Sequence, residues 1–322
     1  MTDNAGRVTL WGIEVFLAAA EEGSVSAAAR RLGASPSAVS QQLSNLETAL
    51  GVVLIDRSRR PAQLTPSGAM FRLRAQRIWN EAMQARTELA VRDLANLTDL
   101  RLGMIEDFDS DVTPRLISDM GGELQQCRFL LETGASHRLH DQLETRALDV
   151  IVAADPGTEA MAWAEVHPLL EEPFIVAVPK GAIPPGDEAM PHLRRMPLIH
   201  YTERQLMGRQ ISAHLAQQRL RLSHRFEIDS YHAIMAMVAS GAGWTILTPL
   251  GYLHARRFRD DADVLPLPFA PLSRRISLTA RAGVLQDMPG RLADRLKPLL
   301  QEMIVTEARA RMPWLGDTLR VL

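Results

Sequence analysis

The sequence contains little cysteine, lysine or aromatic side chain and no long apolar run, and these absences exclude several classes of protein. A single cysteine, Cys127, excludes an intramolecular disulfide and a cysteine-rich metal site. Every apolar run is much shorter than the roughly 20 residues that a membrane-spanning helix needs. Residues 1–7 are polar and have no signal-peptide pattern, so we expect a protein of the cytoplasm that does not associate with membranes.

The composition is that of a globular protein with two or three domains. The 322 residues are 46% hydrophobic and 23% charged, with a net charge of -2. This charge argues against a protein that coats DNA without reading its sequence, which would be strongly basic. Lys180 and Lys297 are the only lysines, so the positive charge is almost entirely arginine. Arginine suits phosphate and guanine contacts, although a GC-rich genome would produce the same bias.

Residues 8–50 have the pattern of three short helices. Gly23 and Gly51 are stop signals, and the pair Ser35-Pro36 is a start signal for the third helix. Apolar side chains recur at intervals of three and four along this helix, which predicts one buried face. The other face carries short uncharged side chains, which favour close entry into a DNA major groove. The predicted DNA-reading residues are Ser35, Pro36, Ser37, Ser40, Gln41 and Ser44.

The segment 52–65 has two short apolar stretches around an arginine-rich centre. This pattern predicts a β-hairpin wing next to the helix-turn-helix. We expect Arg57, Arg59 and Arg60 to contact the DNA phosphates, and a merely solvated loop is the alternative.

Residues 66–94 predict a long helix with a short heptad seam. The seam favours contact with a second copy of the chain, or else packing on the N-terminal domain of the same chain. The predicted dimerisation residues are Phe71, Ala75, Ile78, Ala82, Ala85 and Leu89.

Together these segments resemble the DNA-binding domain of LysR-type transcriptional regulators over about sixty consecutive residues. The resemblance is carried by Ala27–Leu32, Ser35–Leu43, Leu46-Glu47, Leu50-Gly51, Leu54–Arg57 and Leu64–Gly68. Ile55 and Pro66-Ser67 depart slightly from the family pattern. The resemblance implies a winged helix-turn-helix, a homodimer or homotetramer, and a pseudo-palindromic promoter site. It also implies a C-terminal effector domain with the two-lobed α/β fold of periplasmic solute-binding proteins.

The remaining sequence alternates strand and helix patterns in two series that meet near residue 170. Such alternation predicts a parallel sheet covered by helices in each of two lobes, with a cleft between them. The predicted domains are 1–65 for DNA binding, 66–97 for the linker helix, and 98–305 for the effector domain. The first lobe comprises about 98–169 and 270–305, the second about 170–269, and 306–322 is an extension that packs on a neighbouring subunit or is loosely ordered.

The predicted effector-binding residues lie at strand ends and helix starts. Free amides at the start of a helix favour a carboxylate, and an acidic loop favours an ammonium group. This combination suggests an amino acid or a small carboxylate. The residues are Glu106, Asp107, Phe108, Thr133, Gly134, Ser136, Tyr201, Thr202, Ser230 and Tyr231.

The other chemistry-bearing residues give weaker signals. His137 and His140 lie one helical turn apart and Asp109 and Asp111 alternate, but no third ligand is indicated, so we expect neither a metal nor a cofactor. Cys127 begins what reads as a buried strand, which favours packing over oxidant sensing.

The sequence therefore predicts a transcription regulator that binds promoter DNA, a small effector, a second copy of itself and RNA polymerase. The alternative is a two-lobed enzyme with an incidental helical N-terminus. The sequence has no nucleophile elbow, zinc-protease helix or phosphate loop, which argues against an enzyme.

Overall fold

The computed structural model describes residues 7–90, 99–124, 127–157 and 163–322. Residues 1–89 with 145–147 form one compact unit, and residues 90–144 with 148–322 form a second. Among the described helices, none is long and apolar enough to cross a membrane.

The N-terminal unit consists of four helices and a short hairpin. Its elements are α1 (Leu10–Glu22), α2 (Val25–Arg31), α3 (Pro36–Leu50), β1 (Ile55–Asp56), β2 (Gln63–Leu64) and α4 (Pro66–Ala90). The hydroxyls of Thr9, Ser24 and Ser35 each accept a hydrogen bond from the backbone N–H three residues later, which begins α1, α2 and α3. Gly51 ends α3 with φ at 69°, a conformation that glycine adopts without strain.

The second unit has two lobes, and the first is built on a six-stranded sheet in the order β13-β6-β12-β5-β3-β4. Its strands are β3 (Asp99–Ile105), β4 (Arg128–Gly134), β5 (Val150–Ala154), β6 (Ala164–Pro173), β12 (Ser273–Arg281) and β13 (Arg320–Val321). Its helices are α5 (Val112–Glu123), α6 (Ser136–Glu144), α11 (Met288–Leu300) and α12 (Thr306–Arg311), with a π-helical turn over Gln301–Val305.

The second lobe has a three-stranded sheet in the order β10-β7-β11 and a parallel pair, β8 and β9. Its strands are β7 (Ile175–Pro179), β8 (Leu198–Tyr201), β9 (His224–Ile228), β10 (Thr245–Leu247) and β11 (Ala262–Pro266). Its helices are α7 (Ala189–Leu193), α8 (Leu206–Gln217), α9 (Tyr231–Ala239) and α10 (Pro249–His254).

The expectation of a parallel sheet in each lobe is wrong for most strand pairs. Among the strand pairs of the described residues, β3 with β4, β3 with β5, and β8 with β9 run parallel, and the others are antiparallel. Strand β12 is antiparallel to both β5 and β6. The pairing of β12 with β6 follows from the connection between the lobes, because the chain leaves the first lobe along β6 and returns along β12 in the opposite direction.

Residues 306–322, whose packing the sequence left open, belong to the first lobe of their own chain. Strand β13 pairs with β6, where Val321 lies opposite Leu170. Leu315 and Leu319 are buried in the core of this lobe. The extension therefore completes the six-stranded sheet at its edge.

Cys127 does not begin a buried strand, as the sequence had suggested. It lies just before β4 and is half-buried. Strand β4 is at the edge of its sheet, and Leu130 and Leu131 are exposed on it. An edge strand is covered less than the apolar run of its sequence suggests.

Candidate nucleic-acid interface and ligand cleft

Helix α3 has one buried face and one accessible face, as its periodicity predicts. Val39, Leu43 and Leu46 are buried in the core of the N-terminal unit. The six predicted DNA-reading residues, which we call the reading face, lie on the other side. Ser35, Pro36, Ser37 and Gln41 are exposed, and Ser40 and Ser44 are half-buried. Asn45, which the sequence analysis did not select, is exposed and accepts a hydrogen bond from Gln41 Nε2 at 2.9 Å.

Arg57 lies against helix α3 and not at the tip of the hairpin, which corrects its predicted position. Its guanidinium is 2.8 Å from Glu47 Oε2 and 3.4 Å from the hydroxyls of Ser40 and Ser44. Glu47 also accepts hydrogen bonds from the backbone N–H of Leu54, at 2.8 Å, and of the following residue. The Glu47 carboxylate therefore binds the start of the hairpin and also keeps Arg57 on the reading face.

The hairpin tip presents the other two predicted arginines to solvent. Arg59 and Arg60 are exposed, and Arg59 is 3.3 Å from Asp56 and 2.9 Å from Gln63 Oε1. Exposed surface ion pairs are weak, so Arg59 can exchange this partner for a phosphate at little cost.

The predicted dimerisation seam on α4 is divided between two environments. The Phe71 ring lies 5.2 Å from that of Phe16, and Ala75 is fully buried, so both pack on their own domain. Ile78 and Ala85 are exposed and Ala82 is half-buried. The side chain of Leu89 lies outside the described residues.

A cavity of about 50 Å³ lies between the two lobes of the C-terminal unit, and we call it the lobe cavity. This volume has room for a few water-sized groups. Six of the ten predicted effector residues line it, namely Glu106, Asp107, Gly134, Ser136, Tyr201 and Tyr231.

The other four predicted effector residues lie elsewhere. Phe108 is fully buried in the hydrophobic core, because the short helical turn after β3 points its ring inward. The Ser230 hydroxyl caps α9 through the N–H of Ala233. Thr133 is exposed on the edge strand β4, and Thr202 is half-buried beside the cavity-lining residues without being one of them.

The cavity is also lined by residues that the sequence did not single out, and one of them is Arg274 on β12. Its guanidinium is 2.6 Å from Glu172 Oε1, 3.0 Å from Asp107 Oδ2 and 3.3 Å from Thr248 Oγ1. Glu172 is fully buried and also accepts the N–H of Leu250 at 3.2 Å. We call Asp107, Glu172 and Arg274 the buried triad.

Both carboxylates act on the charge of Arg274. Burial alone would lower the pKa of Arg274, but the neighbouring Glu172 and Asp107 raise it. The guanidinium therefore keeps its charge, and the buried triad carries one net negative charge when both carboxylates are ionised.

The acidic loop that the sequence analysis assigned to an ammonium ligand is mostly paired with cations of the same chain. Asp107 pairs with Arg274, Asp109 lies 3.3 Å from His254 Nε2, and Asp111 lies 2.7 Å from Arg256. These contacts join the loop after β3 in the first lobe to α10 and the turn that follows it in the second.

Glu106 is the exception in this loop. Within the described part of the chain, no basic side chain lies at ion-pairing distance from it. Burial, then the nearby charges of Asp107 and Asp109, raise the pKa of Glu106.

His137 and His140 do not form a metal site in the described residues, where no three His, Cys, Asp or Glu side chains are grouped to hold an ion. His140 Nε2 lies 3.0 Å from the carbonyl oxygen of Ala154, and His137 lines the lobe cavity.

Comparison with known proteins identifies the family of both units. The family model described as "LysR substrate binding domain" matches residues 97–296. The model described as "Bacterial regulatory helix-turn-helix protein, lysR family" matches residues 10–69.

Whole-chain relatives give the same result. A probable hydrogen peroxide-inducible genes activator of Mycobacterium leprae is 29% identical, over 97% of this chain and 99% of that protein. The structure of full-length OxyR from Pseudomonas aeruginosa is similar with a TM-score of 0.63 and 26% identity, covering 90% of this chain and 95% of that one. CbnR in complex with its target DNA shares the fold, with a TM-score of 0.62 and 19% identity over 91% of this chain and 100% of that one. The chain therefore belongs to the LysR family of transcription regulators, with a helix-turn-helix DNA-binding domain and a C-terminal effector-binding domain.

Proposed function

We propose that this regulator binds promoter DNA through the reading face of α3, and that a small effector in the lobe cavity changes this binding. The observation that carries the proposal is the lobe cavity itself, where polar side chains from both lobes converge. We further propose that it acts in the cytoplasm as a homodimer or homotetramer and that it contacts RNA polymerase at the promoter.

The ion pairs between the lobes supply a mechanism. A ligand that contacts Asp107 or Arg274 also acts on the groups that those residues hold in the other lobe. A ligand shifts the equilibrium between open and closed lobes only as far as its affinities for the two states differ. In an oligomer, a change in lobe closure alters the spacing of paired DNA-binding domains, and thus their fit to two half-sites.

The DNA-binding part of the proposal is tested by two sets of variants. We expect Ser40→Ala and Gln41→Ala to reduce the preference for promoter over random duplex by roughly 1–3 kcal/mol, because they remove base-edge contacts. We expect Arg59→Ala and Arg60→Ala to weaken binding to both duplexes equally and to reduce the salt slope by about 1 per arginine. Fluorescence anisotropy across a salt series measures both quantities, and identical behaviour of the two sets would contradict this division.

The Arg57→Ala variant should behave like the first set. Its guanidinium touches Ser40 and Ser44 on the reading face, so its removal should alter sequence preference as well as affinity. If Arg57→Ala lowers the affinity for DNA but leaves the preference for promoter over random duplex unchanged, Arg57 contacts phosphates, as Arg59 and Arg60 are expected to do.

Peroxide sensing is a second candidate, suggested by the names of the relatives, but the only thiol of this chain is poorly suited to it. Burial, followed by the charges of Asp99 and Asp149, raises the pKa of Cys127 to about 11. At pH 7 only about one molecule in 10,000 would carry the reactive thiolate. We therefore propose an effector-binding mechanism that does not use thiol oxidation.

This assignment makes a prediction about Cys127. The thiol should react with iodoacetamide at least about tenfold more slowly than free cysteine at pH 7, measured by mass spectrometry. Cys127→Ser should keep wild-type promoter affinity, and hydrogen peroxide should leave that affinity unchanged in both proteins. A peroxide effect on the wild type that disappears in the Ser variant would establish the redox candidate instead.

A further inference from the structure

A pair of side-chain amides lies on the accessible side of helix α3. Gln41 and Asn45 are both exposed and are one helical turn apart, so their side chains are neighbours on the helix surface. Nε2 of Gln41 donates a hydrogen bond to Oδ1 of Asn45 at 2.9 Å. Pairs of this kind, four residues apart, stabilise a helix and restrict both side chains. The contact joins a residue that the sequence selected for DNA reading to one that it did not select.

The contact with Asn45 leaves part of the Gln41 amide free. A side-chain amide has two N–H donors and one carbonyl acceptor. One N–H of Gln41 is taken up by Asn45, so its second N–H and Oε1 remain available. Because the amide is planar and its rotation is restricted by the contact, this donor and this acceptor keep a fixed position on the reading face.

The other polar side chains of the reading face are serines, which discriminate between bases less well. A hydroxyl both donates and accepts, so it can bond to almost any base edge. The hydroxyls of Ser40 and Ser44 each lie 3.4 Å from the guanidinium of Arg57, and the hydroxyl of Ser35 caps the start of the helix. Gln41 is therefore the member of the reading face whose donor and acceptor are separate groups that can distinguish bases.

Adenine has the base edge that complements a free donor beside a free acceptor. In the major groove adenine presents the acceptor N7 next to the donor N6 amino group, whereas guanine presents two acceptors, N7 and O6. An amide can donate to N7 and accept from N6 of adenine at the same time. With guanine, the amide carbonyl would face O6, which is another acceptor, and thymine and cytosine each offer a single hydrogen-bonding group.

We propose that Gln41 reads an adenine in each half-site of the DNA, and that Asn45 is a positioning residue that holds the Gln41 amide for this contact. The N–H of Gln41 that is trans to Oε1 goes to Asn45. The N–H that is cis to Oε1 donates to adenine N7, and Oε1 accepts from the N6 amino group. The inference rests on the proposed function, since it names the base that the reading face recognises.

The base that Gln41 reads is identified by selecting duplexes from a randomised pool with the full-length protein, which requires no known promoter. The wild type should enrich half-sites that contain an adenine. Fluorescence anisotropy then compares the selected duplex with three others that carry each alternative base pair at that position. Gln41→Ala should reduce the preference for adenine roughly tenfold, and Gln41→Glu should favour cytosine, whose N4 amino group donates to a carboxylate.

A glutamine outside the DNA-binding unit provides the control for these variants. Gln301→Ala, at an exposed site on the π-helical turn after α11, should keep the adenine preference of the wild type. If Gln41→Ala keeps the preference for every adenine of the half-site, or if Gln41→Glu still favours adenine over cytosine, the inference is wrong. Loss of preference at a base other than adenine would overturn it as well.

Two substitutions of Asn45 test its positioning role on the selected duplex and on the duplex with guanine in place of adenine. Asn45→Ala removes the acceptor and should reduce the preference for adenine over guanine about twofold. Aspartate can only accept, so Asn45→Asp should keep this preference, while its added charge lowers the affinity for both duplexes. A role of Asn45 in helix stability alone predicts an unchanged preference in both variants. No loss in Asn45→Ala, or an equal loss in Asn45→Asp, would refute the positioning role.

The failure of this inference is distinguishable from failure of the proposed function. If the wild type enriches no sequence over the starting pool, the reading face does not read DNA, and both are wrong. If the wild type enriches a sequence whose adenine preference survives Gln41→Ala, the protein reads DNA through other groups, and the assignment of Gln41 to adenine is the part that fails.

Discussion

Replacing Arg274 with methionine should lower the free energy of unfolding of the C-terminal unit by about 3–5 kcal/mol. Methionine fills most of the volume but leaves two buried carboxylates without their cation. Glu172 is fully buried, and Asp107 is 9% exposed, so neither can be solvated in place. Removing one member of a buried ion pair is costly because the remaining charge cannot regain its hydration.

The neighbouring arginine provides a matched control. Arg275 follows on the same strand, points to the opposite face and is exposed. Arg275→Met should change stability by no more than about 0.5 kcal/mol. Urea unfolding followed by circular dichroism measures both variants, and equal stability of the two would show that the triad contributes little.

A double-mutant cycle separates the interaction from the loss of volume. Glu172→Gln alone leaves Arg274 with only Asp107, and Arg274→Met alone leaves Glu172 uncompensated. The double variant leaves neither Arg274 nor Glu172 with an unpaired charge, although Asp107 still lacks its cation, so its destabilisation should be smaller than the sum of the two by about 1–3 kcal/mol. Additive effects would mean that the two residues contribute independently.

The position of the triad connects its role in stability with the proposed regulation. Glu172 and Arg274 lie on β6 and β12, the two strands that connect the lobes, and Arg274 reaches Thr248 at the start of α10 in the second lobe. Asp107 and Arg274 also line the lobe cavity. Under the proposed function, a ligand there would contact the same charges that hold the junction of the lobes together. Its binding energy would then change the lobe closure without a separate relay.

The N-terminal unit was largely predictable from sequence because its determinants are local. Helix α3 begins at Pro36 after the capping Ser35 and ends at Gly51, as the signals indicated. Its buried face follows from spacing alone. The exception is Arg57, whose partner Glu47 lies ten residues away on a different element. No local rule assigns a hairpin arginine to that carboxylate.

The lobe junction was not predictable because its contacts, like that of Arg57 with Glu47, join residues that are far apart in the sequence. Glu172 and Arg274 are separated by 102 residues, and Asp107 and Arg274 by 167. Strand β6 is difficult to recognise in the sequence, because it alternates irregularly and contains Pro168, which disfavours a strand assignment. Without β6, neither the antiparallel crossover nor the burial of Glu172 follows. The acidic loop was assigned to an ammonium ligand, whereas the structure pairs it with cations that lie in a distant segment of the sequence.

Replacing Gly68 with alanine should destabilise the N-terminal unit by about 3 kcal/mol and abolish promoter binding. A Cβ at this position in α4 would lie 2.0 Å from the carbonyl oxygen of Leu54, a backbone atom that cannot rotate away. That carbonyl also accepts the N–H of Thr65 at 2.9 Å, which ties α4 to the hairpin. The added methyl group must therefore push α4 and the segment around Leu54 apart.

The displacement should reach the reading face through contacts already described. Leu54 donates its N–H to Glu47, and Glu47 holds Arg57 on Ser40 and Ser44, so moving Leu54 loosens the wing from α3. Gly121→Ala in helix α5 is the control, because a Cβ there meets nothing within 4 Å and should stabilise that helix by up to about 1 kcal/mol. Thermal unfolding and anisotropy with promoter DNA measure both variants. Wild-type affinity and stability after Gly68→Ala would show that the close contact between α4 and the hairpin is not needed for DNA binding.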